Sequence, residues 1–417
     1  MRPPRRRIVV IAAVAAVVVA AEVVVEVRTL APLPQPSTRL DAPATLAAAP
    51  GSPPPVALPP TGSIALLSDT GDTLASANAD VSRPIGSVAK TMTALMVLGA
   101  HPLQAASTGP SLTITSQDVT LYEQAVAAGG SAVPVRAGER LSERDLLLAL
   151  LLPSANNIAD TLARWVDGSV GAFVAHANRE AAALGMHQTH FDDASGVSAQ
   201  TVSSADDLVV LARAALAQAA FAELVRTQSA TLSDGTVVHS LDIALGANPD
   251  WLGIKTGWTA AAGGCLLFAA RHAYAAQAAA VTVYGAVLGQ PPDATVDPDH
   301  PELGRAFAVA QDSVHAAVRS YAAVDLSALT PAVQGRLEEP WGAGTSLRAR
   351  PSGGVIVVRR GEVLRLRTSM KQPTPSTPAG AQVGAIDGAL RGKNVVTWPI
   401  VTDDALEPPG FWWRLTR

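Results

Sequence analysis

Hydrophobic residues are distributed unevenly along the chain, and their pattern predicts four consecutive parts. Residues 1–28 hold a nearly unbroken apolar run, and residues 29–60 are rich in proline and alanine. Residues 61–322 alternate between helical and strand periodicities, as in a packed α/β domain. Residues 323–417 combine short alternating strands with turn residues, which is typical of a small all-β domain.

The N-terminal segment has the pattern of an export signal or a membrane anchor. Four arginines lie within residues 2–7, residues 8–21 are wholly apolar, and Glu22 and Glu26 follow. A basic region before an apolar run directs the rest of the chain out of the cytosol. Cleavage near Ala21 would leave a secreted protein, whereas an uncleaved helix would hold it on the extracytoplasmic face of the cell membrane. We favour the uncleaved anchor.

The tract that follows predicts a spacer. Ten prolines lie within residues 29–60, separated mostly by small residues. Such a composition adopts an extended, semi-rigid conformation and packs no core of its own. We therefore expect a linker that separates the anchor from the domains.

The pattern of residues 61–322 predicts several helices together with hairpins and paired antiparallel strands. Residues 111–140 have the character of loop and short strand. The expected elements are hairpins at 63–76 and 229–247, helices starting near 87, 142, 154, 171, 203 and 305, and paired strands at 251–259, 265–270 and 279–288.

The C-terminal part predicts strands around several turns. Residues 355–358 and 363–367 flank the turn 360–362, and another strand is expected at 395–398. The aromatic tail 410–417 is too short to span a membrane, so we interpret it as a last strand or an interfacial patch.

Charge and cysteine content narrow the function classes. The formal net charge is −4, which does not favour nucleic acid binding, and a single cysteine excludes an internal disulfide framework. Cys265 lies in an apolar strand-like run and is predicted to be a core residue. His187 and His190 lack the glutamate of the helical zinc motif, so we expect no metal and no organic cofactor.

Lysine usage indicates where the chemistry lies. Of the 31 Lys and Arg residues only four are lysine, so a lysine here is a selected residue rather than a default surface cation. Ser87 and Lys90 would share one helical face, where a lysine with a lowered pKa can activate a serine. Lys255 lies in a strand-like Lys-Thr-Gly triplet, and Ser154 and Asn156 follow the buried helix that Pro153 ends. Simple helix capping would also account for Ser154.

Together these motifs resemble those of the penicillin-interacting serine enzymes. Residues 63–324 resemble the low-molecular-mass D-alanyl-D-alanine carboxypeptidases, a penicillin-binding protein family, and residues 325–417 are similar to the β-rich domain often appended to them. The supporting motifs are Arg83-Pro84, Ser87-Val88-Ala89-Lys90, residues 151–157, Thr189-His190-Phe191, Ser195-Gly196, residues 253–257 and residues 262–265.

The resemblance implies an α/β fold in which an antiparallel sheet has helices on both faces, together with an all-helical part. It also implies a role for each site residue. Ser87 would form an acyl-enzyme with peptidoglycan stem peptides ending in D-Ala-D-Ala, and β-lactam antibiotics would inhibit by acylating it. The other assignments are Lys90 as base, Ser154 as proton relay, Asn156 as a positioning group, Lys255, Thr256 and Gly257 as the substrate-carboxylate strand, the backbone N–H groups of Ser87 and Trp258 as the oxyanion hole, and Arg305 as a carboxylate-steering cation.

Some positions depart from the family pattern, and other activities stay open. Ala155 replaces a common Gly, Asn157 stands where Asp is frequent, and Gly264 stands where an aromatic is common. A β-lactamase would need a carboxylate to activate the deacylating water, for which Asp192 and Asp193 are the candidates. A DD-endopeptidase and a non-catalytic wall-binding protein of the same fold are further alternatives.

Overall fold

A computed structural model describes residues 5–104, 106–274 and 279–417. The chain divides into two compact units, one formed by residues 53–321 and the other by residues 1–52 together with 322–417. The first four residues of the predicted basic segment lie outside the described residues.

The N-terminal part of the chain begins with an exposed apolar helix. Helix α1 (Arg5–Leu30) contains a stretch, Val9–Leu30, that is 22 residues long and apolar enough to cross a membrane. Two strands follow it, β1 (Ser37–Asp41) and β2 (Thr45–Ala47).

The prediction of a spacer across residues 29–60 is wrong for its first half. Strand β1 pairs with residues 334–338, and β2 pairs with residues 363–365, so both strands are edges of the C-terminal sheet. Neither strand contains proline, since Pro36 lies just before β1 and Pro43 lies between β1 and β2, so both strand segments keep the N–H groups that pairing needs. Composition alone did not reveal pairing with a segment about three hundred residues away in the sequence.

The unit of residues 53–321 holds a five-stranded sheet and a group of helices. Its elements are β3 (Ser63–Ser68), β4 (Thr73–Ala77), β5 (Arg83–Pro84), a 3₁₀ turn (Gly86–Ala89), α2 (Lys90–Ala100), β6 (Ser111–Thr113), α3 (Ser116–Ala127), β7 (Arg140–Ser142), α4 (Glu143–Leu151), α5 (Asn156–Asp167), α6 (Val170–Ala183), β8 (Val202–Ser203), α7 (Ala205–Leu216), α8 (Ala219–Val225), β9 (Ser229–Thr231), β10 (Val237–His239), β11 (Trp251–Thr259), β12 (Gly263–Ala273), β13 (Ala280–Gln290) and α9 (Pro301–Arg319).

The sheet has the order β11-β12-β13-β3-β4 and is antiparallel throughout. Helices α7 and α9 pack against it, while α2 packs against α4, α5, α6 and α8 in the helical part. Helix α2 is buried from Lys90 to Leu98, because the surrounding helices cover it. The predicted α/β arrangement of an antiparallel sheet with packed helices and a separate helical part is therefore confirmed.

Helix α3 of this unit was missed by the sequence analysis. Residues 116–127 form α3, within a region interpreted as loop and short strand. Thr115 caps it, because its side chain accepts from the Asp118 backbone N–H while the Asp118 carboxylate accepts from the Thr115 N–H. The Thr115-x-x-Asp118 spacing was the available sign of this helix.

The C-terminal elements form a seven-stranded sheet and a separate strand pair. They are β14 (Tyr321–Asp325), β15 (Gln334–Glu338), β16 (Gly344–Ala349), β17 (Val355–Arg359), β18 (Val363–Met370), β19 (Gln382–Leu390), β20 (Lys393–Thr402) and α10 (Phe411–Thr416). The large sheet has the order β1-β15-β16-β20-β19-β18-β2, and β14 pairs with β17. The tail is thus a short helix, and the prediction of a last strand there is wrong.

Candidate active site

Ser87 and Lys90 lie where the 3₁₀ turn passes into α2. The turn places the Ser87 hydroxyl beside the first residue of the helix, and the Lys90 Nζ lies 2.7 Å from Ser87 Oγ. Lys90 is fully buried. The predicted sharing of one helical turn by these two side chains is confirmed.

The partners of Lys90 determine which way the proton of Ser87 can move. Lys90 Nζ donates to Asn156 Oδ1 at 2.7 Å and to the Ser195 carbonyl oxygen at 2.9 Å. Both oxygens can only accept, so they occupy the two N–H groups of a neutral lysine. The lone pair of that lysine then faces Ser87, whose hydroxyl is the one partner able to donate. The geometry suits removal of the Ser87 proton by neutral Lys90.

Burial and a second cation favour this neutral form. Desolvation lowers the pKa of Lys90 well below its usual value, and the positive charge of Lys255 lowers it further. The carboxylates of Asp193 and Asp160 oppose these two effects. The lowered pKa favours the neutral form of Lys90, which is the form that can accept a proton from Ser87.

The loop that supplies the Ser195 carbonyl was not recognised as part of the site. Asp193 organises it, since its carboxylate accepts from Ser195 Oγ at 2.7 Å, from the Gly196 N–H at 3.0 Å and from Thr201 Oγ1 at 2.5 Å. Gly196 has a φ of 80°, and a Cβ there would lie 1.9 Å from the Gly86 carbonyl oxygen. The Asp-x-Ser-Gly turn was the sign in the sequence, although it was used only for the family resemblance.

Ser154 and Asn156 are presented by the connection between α4 and α5. Ser154 adopts a left-handed backbone with φ of 67°, which costs about 1–3 kcal/mol for a residue with a side chain. Its buried Oγ has no hydrogen-bond partner within the described part of the chain. A strained backbone and an unsatisfied hydroxyl at a cleft are typical of a group that hydrogen-bonds to a bound ligand.

Asn157 has a structural role next to these two residues. Its side chain donates to the Val133 carbonyl oxygen at 2.9 Å and accepts from the Val133 N–H at 3.1 Å. The Asn156 N–H donates to the Ser131 carbonyl oxygen at 2.8 Å. The segment 131–133 is thereby held along the cleft.

Strand β11 carries the second lysine. Lys255 is buried, and its Nζ donates to the carbonyl oxygen and, at 3.4 Å, to the hydroxyl of Thr256. Desolvation lowers the pKa of Lys255 to about 7, against the opposing charge of Asp242. Asp242 is itself buried and accepts from Trp251 Nε1 at 2.9 Å. Sequence analysis missed Asp242, which has no motif around it.

The 3₁₀ turn and β11 meet at two glycines. A Cβ on Gly86 would lie 2.9 Å from the Trp258 nitrogen, and a Cβ on Gly257 would lie 3.0 Å from the Ser87 nitrogen. The backbone nitrogens of Ser87 and Trp258 are therefore brought side by side. Paired N–H groups at a nucleophile are the arrangement that stabilises an oxyanion.

A cleft of about 330 Å³ opens over Ser87. It is lined by Ser87, Gly129, Ser131, Ala132, Pro153, Ser154, Leu241, Thr256, Gly257, Trp258, His300, Glu302 and Leu303. Most predicted site residues either line this cleft or contact a residue that does. Arg305 is not among these lining residues of the described chain. Arg305 lies half-buried on α9. The pKa of Asp293 is lowered mainly by hydrogen bonds from Thr295, and the positive charge of Arg305 lowers it by a smaller amount.

The remaining candidate groups are not reactive centres. Cys265 is buried, and desolvation raises its pKa to about 12, so the thiolate does not form near neutrality. Its prediction as a core residue is confirmed. In residues 5–104, 106–274 and 279–417, no group of three His, Cys, Asp or Glu side chains could hold a metal ion.

Comparisons with known proteins agree with this geometry. A family model described as D-alanyl-D-alanine carboxypeptidase matches residues 55–286. A D-alanyl-D-alanine carboxypeptidase of Streptomyces sp. (strain K15) is 30% identical over 243 residues, which cover 54% of this chain and 79% of that protein. A D-alanyl-D-alanine endopeptidase of Escherichia coli (strain K12) is 31% identical over 205 residues, 48% of this chain. The chain spans 63% of the length of that endopeptidase.

A solved structure shares the fold. The crystal structure of the Streptomyces K15 DD-transpeptidase matches with a TM-score of 0.52 and 26% sequence identity, covering 63% of this chain and 99% of that one. The predicted fold class is confirmed by this likeness.

Proposed function

Because the chain belongs to the D-alanyl-D-alanine carboxypeptidase family, we propose that it is a serine-type, penicillin-binding carboxypeptidase. It removes the terminal D-alanine from peptidoglycan stem peptides, and we assign this chemistry to residues 61–322. The observation that carries the proposal is the contact between Lys90 Nζ and Ser87 Oγ at 2.7 Å, with two acceptor-only oxygens on the same nitrogen. No cofactor takes part in the proposed reaction.

In the acylation step, Ser87 Oγ attacks the carbonyl carbon of the penultimate D-alanine and its proton passes to Lys90. The oxyanion that forms accepts from the N–H groups of Ser87 and Trp258. The C–N bond then breaks, and Ser154 relays a proton from Lys90 to the leaving D-alanine amine. Asn156 keeps Lys90 oriented throughout, because Asn156 Oδ1 accepts a hydrogen bond from Lys90 Nζ.

Deacylation reverses these proton movements with water in place of the amine. Water attacks the acyl carbon and gives a proton to Lys90, the bond to Ser87 Oγ breaks, and the proton returns to Ser87. Lys255 and Thr256 hold the terminal carboxylate of the substrate, with Gly257 allowing close approach of the strand. Arg305 is not among the described residues that line the cleft, so it contributes only long-range positive potential.

Of two competing activities, DD-endopeptidase is better supported than β-lactamase. The Escherichia coli relative is named an endopeptidase, which supports cleavage of D-alanyl cross-links as a second activity of the same residues. A β-lactamase is disfavoured, because Asp192 accepts from Ser198 Oγ at 2.6 Å and Asp193 is bound to its own loop. Neither carboxylate is among the described residues that line the cleft over Ser87.

A direct assay tests the proposal. The full-length chain in detergent should release D-alanine from Nα,Nε-diacetyl-L-lysyl-D-alanyl-D-alanine, and benzylpenicillin should abolish release while adding one penicilloyl group to the peptide that contains Ser87. Peptide mass spectrometry after proteolytic digestion locates that group. Rapid penicillin turnover without an adduct would contradict the proposal in favour of a β-lactamase, and an unmodified, inactive protein would favour a wall-binding role.

We also propose that α1 remains attached and anchors the protein on the extracytoplasmic face of the membrane. Arg414 Nη1 donates to the Thr29 carbonyl oxygen at 2.9 Å, and Arg417 Nη2 donates to the Ala31 carbonyl oxygen at 2.7 Å. These guanidinium groups cap the negative end of α1, where carbonyl groups lack partners within the helix. Removal of α1 would leave α10 without these contacts.

The aromatic residues of α10 are also suited to the membrane–water interface. Trp412 is 74% exposed and Phe411 is 53% exposed, next to the end of the apolar helix. Tryptophan favours the interface between lipid headgroups and acyl chains. In nanodiscs with brominated lipids we expect quenching of tryptophan fluorescence that decreases in Trp412→Phe but not in Trp165→Phe. Equal quenching in all three proteins, or an intact mass lacking α1, would contradict this proposal.

A further inference from the structure

One wall of the cleft is formed by the beginning of α9. His300, Glu302 and Leu303 line it, and Ser154 lines the same cleft. The close approach of α9 depends on Gly264, because a Cβ there would lie 2.5 Å from the Glu302 carbonyl oxygen. A larger residue at this position would push the helix away from the cleft.

Glu302 is the one carboxylate among the described residues that line the cleft. Its side chain is 30% exposed, and its recorded ionic contact is with His300 Nδ1 at 3.4 Å. That distance is too long for a strong hydrogen bond, so the contact leaves most of the acceptor capacity of the carboxylate unused. A cationic group entering the cleft could therefore bind Glu302 without displacing a tight partner.

The two ends of the β11 segment at the cleft differ in the residues beside them. Lys255 and Thr256 lie on the strand before the oxyanion donors, whereas Trp258 pairs in register with Gly264, which contacts the start of α9. Trp258 is the third residue after Lys255, about 10 Å along the strand. By this register the start of α9, with Glu302, lies towards the Trp258 end of the strand segment, and Lys255 lies at its other end.

We infer that Glu302 is a specificity determinant that binds the side-chain ammonium of a basic diamino acid residue immediately before D-Ala-D-Ala. The inference rests on the proposed carboxypeptidase function. With the terminal carboxylate at Lys255 and Thr256, the acyl part of the substrate extends past Ser87 towards Trp258 and α9. A lysine-like side chain on that part carries its charge to the partly desolvated Glu302, where a charge-assisted hydrogen bond forms.

Two peptides that differ only in this charge test the inference. The full-length chain should cleave Nα-acetyl-L-lysyl-D-alanyl-D-alanine with a kcat/KM about tenfold above that for the Nα,Nε-diacetyl peptide, as expected for one charged hydrogen bond. Glu302→Gln should lose this preference through slower cleavage of the free-amine peptide. Asp312→Asn, an exposed carboxylate on the same helix, should retain the preference.

Acylation by benzylpenicillin shows whether each variant keeps an intact site. This compound has no ammonium group, so Glu302→Gln should react with it at the wild-type rate. Equal use of both peptides by the wild type, or a preference that survives in Glu302→Gln, would overturn the inference while leaving the carboxypeptidase function in place. Failure to cleave either peptide would overturn both.

Discussion

Replacing Lys90 by methionine is expected to slow acylation of Ser87 by benzylpenicillin by about 10³-fold or more. Methionine preserves much of the buried volume but cannot accept the Ser87 proton. Asn156 Oδ1 and the Ser195 carbonyl oxygen would also lose their shared donor. The acylation rate constant is measured by mass spectrometry of quenched samples. Lys371→Met, an exposed lysine of the C-terminal unit, is the matched control and should react like the wild type.

The pH dependence distinguishes loss of a base from general disruption. Acylation needs neutral Lys90 and charged Lys255, so kcat/KM should rise as Lys90 loses its proton and fall as Lys255 loses its own. The pKa of Lys255 is about 7, which sets the alkaline limb near neutrality. The lowered pKa of Lys90 sets the acidic limb. A Lys90→Met protein with wild-type rates, or a wild-type profile without the acidic limb, would contradict Lys90 as the base. A rate that rises steadily to pH 10 would instead contradict the requirement for charged Lys255.

Gly257→Ala is expected to lower kcat for D-alanine release by about 10²- to 10³-fold. A Cβ at this position would lie 2.7 Å from the Ile85 carbonyl oxygen and 2.8 Å from the Val88 nitrogen. Both are backbone atoms, so β11 and the 3₁₀ turn must separate. That movement pulls the N–H groups of Ser87 and Trp258 out of their common position, and the oxyanion loses a donor.

A glycine elsewhere provides the control for this substitution. Gly171 lies near the start of α6, and a Cβ there would meet no atom within 4 Å. Gly171→Ala should leave kcat unchanged and alter the thermal unfolding midpoint little. If Gly257→Ala unfolds at the wild-type temperature and keeps its kcat, the assignment of the oxyanion hole to this junction is wrong.

Most of the candidate site could be predicted from the sequence because its side chains belong to short local motifs. Ser87 and Lys90 are neighbours on one turn, Ser154 and Asn156 lie in one connection, and Thr256 follows Lys255. Within each motif, chain geometry alone sets the proximity of the groups. The scarcity of lysine added a second, independent indication for Lys90 and Lys255.

The residues that were missed act through contacts between distant segments. Asp193 orients the Ser195 carbonyl towards Lys90, although more than a hundred residues separate that carbonyl from the lysine. Glu302 enters the cleft only because Gly264 on a different element admits α9. Arg305 was assigned from the family resemblance, but it is not among the described residues that line the cleft.

The sequence by itself determined the apolar N-terminal helix, most helices and strands of the α/β domain, and the local motifs that hold the candidate nucleophile Ser87 and the candidate base Lys90. These features follow from local periodicity and from side-chain chemistry within a single turn. The tertiary structure alone decided that the proline-rich tract supplies two sheet edges, that Lys90 has two acceptor-only partners, and that the Glu302 carboxylate lines the same cleft as Ser87. The physical reason is that burial, pKa and hydrogen-bond saturation depend on segments that meet only when the chain is folded.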